Sequence, residues 1–90
     1  MENVITSGQI RAARALLRWS AQQLADKSGT GVATVLRLEQ QEGVPTGRSH
    51  TLLDLQKTLE SAGVEFIGTP DDKPGVRLVK PGKRAKARTP

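Results

Sequence analysis

The chain has no cysteine and no tyrosine, a single histidine, and two aromatic residues, Trp19 and Phe66. Without cysteine there are no disulfide staples and no thiolate metal sites, and a reducing cytoplasm is the natural compartment. No stretch approaches the roughly 18 apolar residues that a membrane-spanning helix needs. The opening residues, MENVITSGQI, lack the basic-then-apolar order of a secretory signal. His50 has no acidic cluster around it to complete a ligand set, so no metal or other cofactor is expected. With so few aromatics, Trp19 reads as a core plug rather than a stacking platform for bases.

Catalytic constellations are missing as well. There is no nucleophile–base pair and no glycine-rich phosphate loop. Asp71 and Asp72 are adjacent in a Pro/Gly-rich stretch, where they cannot converge on a substrate. An enzyme is not expected, nor is a small-molecule ligand.

The net charge of +5 over 90 residues is unevenly spread. Residues 80–90 hold Lys80, Lys83, Arg84, Lys86 and Arg88 and no acid, which leaves nine basic residues facing nine acids in residues 1–79. The body is therefore close to neutral, and the excess lies in a segment without apolar periodicity, expected to be disordered. Lys83 and Arg84 are candidates there for tracking phosphates.

The apolar pattern predicts four helices. Ser7 is placed as the N-cap of the first, with Ile10, Ala13 and Leu17 on its inner stripe, widened by Ala12 and Leu16. Arg11, Arg14 and Arg18 lie mostly off that stripe. Ser20 caps a second, short helix with Leu24 and Ala25 inward, closed by Gly29. A third runs from about Val32 to Gln41, with Val35 and Leu38 on one face. Gly43, Pro45 and Gly47 mark a loop. The fourth helix begins near Ser49 or Thr51, with Thr51 and Asp54 at capping-box spacing. Leu52, Leu55 and Leu59 lie on its inner face, joined by Leu53 and Ala62. The period then changes, and residues 64–67 and 76–79 read as the strands of a hairpin joined by a long loop over 68–75. Two strands alone are marginal in water, so they should pack on the helices or pair with a second copy.

The second and third helices carry the functional signal. Where two helices cross closely, a contact residue on the first must be small, and Ala25 is. The turn four residues later needs an unusual backbone angle, which Gly29 can adopt. Val35 and Leu38 dock the second helix, and Leu24 fills the remaining gap. Together with Trp19-Ser20, Ser28-Gly29, Thr34-Val35 and Leu38-Glu39, this register resembles the Cro/CI phage-repressor type of helix-turn-helix, the xenobiotic-response-element family of bacterial and phage regulators. The resemblance covers about residues 7–62. It implies a mainly α, four-helix, lambda-repressor-like bundle whose third helix lies in the DNA major groove. It also implies a structural ion pair between Arg14 and Glu39.

Read along those lines, residues 1–63 form the DNA-binding domain, 64–79 a hairpin that could dimerise, and 80–90 a basic tail. The expected function is sequence-specific binding of double-stranded DNA by a homodimeric transcriptional regulator, repressor or activator, in the cytoplasm at the nucleoid. Candidate contacts are Ser20 and Gln22 at the start of the second helix, Gly31, Val32, Ala33, Thr34, Leu36 and Arg37 on and before the third, and Arg48 ahead of the fourth. Three features depart from the family habit. Ala21 stands where a phosphate-touching Gln is common, and Gly31 where a Ser or Thr cap is usual. Val32, Ala33 and Leu36, expected on the solvent side, offer no hydrogen bonds to a base, although thymine methyls stay open to them. That apolar surface also keeps a second expectation alive: a protein-interaction module, antitoxin- or antirepressor-like, with a protein partner.

Overall fold

The computed structural model describes residues 5–45 and 49–79. Four helices, α1 (Ser7–Leu17), α2 (Ala21–Ser28), α3 (Val32–Gln40) and α4 (Ser49–Ser61), precede an antiparallel hairpin of β1 (Val64–Thr69) and β2 (Asp72–Leu78). None of the described helices is long and apolar enough to cross a membrane.

Helix starts follow from side-chain caps. Thr6, not Ser7, is the N-cap of α1: its hydroxyl accepts from the Gln9 N–H while Gln9 returns its own amide oxygen to the Thr6 N–H at 2.8 Å. Ser7 is instead the first helical residue, and its hydroxyl donates to the carbonyl of Gln41. The same reciprocal box joins Ser20 and Gln23 at the start of α2. Each box satisfies two N–H groups that a helix start otherwise leaves unpaired. Helix α4 begins at Ser49, so Thr51 lies within its first turn rather than at a capping position.

One cluster forms the core: Ile5, Ile10, Ala13, Leu24, Ala25, Val35, Leu38, Leu55, Leu59 and Val64 are all buried. Leu17, Trp19, Val32, Leu52, Phe66 and Val76 pack against its edge. The apolar stripes inferred from periodicity were too wide. Leu16 and Leu53 are exposed, as is Ala12, because each helix turns only a narrow face inward.

The hairpin differs most from its sequence pattern. Both strands continue into the stretch expected to be a long loop, leaving only Pro70 and Asp71 as the turn. The register slips between Ile67 and Thr69, at Gly68. Gly68 has φ 77°, and a Cβ there would lie 2.1 Å from the Lys73 carbonyl oxygen, so only glycine fits this bulge. Pro74, which lacks an N–H, is tolerated beside the irregularity. The hairpin packs onto the bundle through Val64 in the core and through hydrogen bonds from α1. The Nε2 of Gln9 donates to the carbonyls of Ile67 and Gly75, at 3.1 and 2.9 Å.

Candidate nucleic-acid interface

Helices α2 and α3 meet through residues 29–31. Gly29 adopts φ 74°, and the N–H groups of Gly29 and Thr30 both return to the Ala25 carbonyl. Ala25 is almost fully buried. Gly31 is the N-cap of α3 and supplies no side-chain hydrogen bond to it. Val35 and Leu38 fix the inner face of α3 in the core, and this decides what its outer face presents.

That outer face consists of Ala33, Leu36, Arg37 and Gln40, all exposed. Positions three and four apart on a helix are neighbours, so the four form one strip. Leu36 is 42% exposed, a large apolar side chain on the surface of α3. Val32 does not belong to the strip: it is half-buried and packs against the core, correcting its placement on the solvent side. Thr34 is half-buried and turned toward a cleft of about 290 Å³ between the α2–α3 turn, α3 and the start of α4. Arg37, His50 and Thr51 line the same cleft, with Asp54 as its acid.

The acid of α3 is hidden. Glu39 is 4% exposed and forms a bidentate pair with Arg14, through Nε and Nη2 at 2.8 Å each. The Arg14 Nη1 also donates to the Trp19 carbonyl at 3.1 Å, and Arg11 donates to the Glu39 carbonyl. One guanidinium thus joins the end of α1, the entry to α2 and the end of α3. The hydrogen bond to Glu39 outweighs the opposing effect of burial and raises the Arg14 pKa above its ordinary value. With Glu39 neutralised inside, the exposed strip of α3 carries a positive charge and no negative one.

At the start of α2 the candidate contacts are already engaged. Ser20 caps the helix, and Gln22 donates to Asp26 one turn on, at 2.9 Å. That leaves Gln22 beside a carboxylate, an unfavourable place for a phosphate. Trp19 packs on the core edge with the Lys27 ammonium 5.1 Å from its ring centroid, within reach for a cation–π contact. Arg48, Lys83 and Arg84 lie outside the described residues. The sequence reading missed Gln40, whose exposure follows from its position seven residues after Ala33 on the same strip. It also missed Gln9, whose spacing from Thr6 was the available signal.

No protein-family model matches the chain, and no curated protein sequence matches it.

Proposed function

We propose that the α2–turn–α3 unit is a helix-turn-helix of the Cro/CI type and that the protein binds double-stranded DNA as a transcriptional regulator. The observation that carries this is the outer strip of α3. A short helix, held from behind by Val35 and Leu38, presents Ala33, Leu36, Arg37 and Gln40 outward with no exposed acid among them. Such a surface suits a groove walled by phosphates. The cleft beside it, with Arg37, His50 and Thr51, lies where a DNA backbone would run past the start of α4.

A short recognition helix reads only a few base pairs, which favours a homodimer on a two-fold site. The hairpin is the proposed contact. The Val79 N–H donates to the Gly63 carbonyl at 2.6 Å, and the alternation of an antiparallel ladder then turns the backbone groups of Val76 and Leu78 away from β1. An edge of that kind invites another strand. Sedimentation at micromolar concentration should show dimer; monomer alone at both low and high salt would remove this part.

The deciding experiment is selection from a random duplex pool, with the full chain and with a chain lacking residues 80–90. An enriched inverted repeat that persists without the tail is the expected result. Binding without any enriched sequence, abolished when the tail is removed, would point to nonspecific binding through its cations. The exposed Ala33 and Leu36 favour one other reading, a protein-interaction module. Arg37→Ala separates the two: DNA binding requires lost affinity in a folded protein, and a protein-docking face requires no change in DNA affinity.

A further inference from the structure

We infer that α3 reads pyrimidine 5-methyl groups, and that the preferred DNA site places such a methyl against Ala33 and Leu36. This rests on the DNA-binding reading above and names the chemistry that the strip would recognise.

Among the groups a base pair shows in the major groove, the purine N7, O6 and N6 and the cytosine N4 all need a hydrogen-bonding partner. Ala33 and Leu36 have none to give. Pressed against these two side chains, such a group loses its water and gains nothing. The C5 methyl of a pyrimidine is the one feature that gains from the contact, because it too is apolar. The nearby polar side chains do not change that choice. Thr34 is half-buried on the cleft side, Arg37 lines that same cleft, and Gln22 is held by Asp26. Gln40 lies about one turn beyond Leu36, so Ala33 and Leu36 are the adjacent apolar pair of the strip.

Thymine and 5-methylcytosine carry the same methyl, and the experiment separates them. In the best duplex selected by the full chain, each thymine is replaced singly by deoxyuridine, which removes the methyl and leaves every hydrogen-bonding group in place. Affinity should fall about fourfold at one or two positions, the loss of one buried methyl. The Leu36→Asn variant, changed at an exposed position that does not support the core, should bind the thymine and uracil duplexes equally. At the sensitive position, a 5-methylcytosine pair that binds more tightly than an unmethylated cytosine pair extends the recognition to methylated DNA. Equal binding of those two confines it to thymine. A selected duplex indifferent to uracil at every thymine overturns the inference and leaves DNA binding standing. A pool that yields no preferred duplex overturns both.

Discussion

The side-chain nitrogen of Gln9 lies 2.9 Å from the carbonyl oxygen of Gly75, 66 residues further along the chain. The same nitrogen reaches Ile67 on the opposite strand, and the amide oxygen closes the α1 capping box on Thr6. One buried amide therefore starts the first helix and anchors the hairpin to it. Gln9→Glu separates the two roles. A carboxylate still accepts from the Thr6 N–H and suits a helix start, but it cannot donate, and it faces two carbonyl oxygens. The expected cost is about 2–4 kcal/mol, from two acceptors that lose their donor. Thermal unfolding followed by circular dichroism should register this as a Tm lower by roughly 10 °C or more. An unchanged Tm would mean that the hairpin is held by its apolar contacts alone.

The Arg14–Glu39 pair gives a second test. Removing the guanidinium by Arg14→Ala leaves the Glu39 carboxylate buried without its counter-charge. About 3 kcal/mol of stability should go, a large part of what a 90-residue domain has. Glu39→Gln keeps a neutral acceptor and should cost less than half as much. Urea titrations should show lower midpoints at unchanged m-values. The raised Arg14 pKa sets the pH behaviour. A cation whose folded pKa is raised contributes its full stability below the unfolded value and loses it as pH rises through the folded one. The Arg14 contribution should therefore stay constant from neutral pH to about pH 10, below the ordinary arginine range.

Much of the helical scaffold was legible because its signals are local. Ser20, Ala25 and Gly29 each satisfy a steric or hydrogen-bonding demand of the backbone beside them. The hairpin was harder, since Gly68, Pro74 and Gly75 are residues that ordinarily end strands. Here they build a bulge whose geometry depends on Lys73, across the pair. Leu16 and Leu53 misled for a different reason: helical spacing defines a stripe but not how much of it a small core can cover. The candidate interface was legible as a helix and less so as a surface. Whether Val32 faces water or core depends on a few tens of degrees of helix rotation, which tertiary packing sets.

The turn between α2 and α3 allows opposite changes at two neighbouring glycines. At Gly29 there is open space for a Cβ, so Gly29→Ala meets only the conformational cost of a left-handed backbone, about 1 kcal/mol. Gly31 has φ −71° and ψ 146°, ordinary for any residue, with nothing near a new Cβ. Gly31→Ser adds the missing cap to α3 and restricts the unfolded chain, for a gain of roughly 0.5–1 kcal/mol. Differential scanning calorimetry should move Tm down for the first and up for the second. A Gly31→Ser protein no more stable than the parent would mean that the new hydroxyl does not reach the α3 N–H groups.

Arg37 belongs to the exposed strip of α3 and also lines the cleft with His50 and Thr51 at the start of α4. In the proposed DNA-binding reading, with the backbone running along that cleft, its guanidinium meets phosphates rather than base edges. Arg37→Ala should therefore weaken binding to preferred and unrelated duplexes by similar factors. It should also make the log-log dependence on salt shallower by about 0.9, the signature of one phosphate contact. The opposite charge nearby makes the complementary case. Asp54 is exposed and lines the same cleft, so Asp54→Asn should tighten binding to all duplexes, with a gain that shrinks as salt rises. Titrations at several salt concentrations on preferred and scrambled duplexes measure both effects. If Arg37→Ala leaves the slope intact and erases preference at a single G·C pair, the arginine reads guanine, and the cleft is not where the backbone lies.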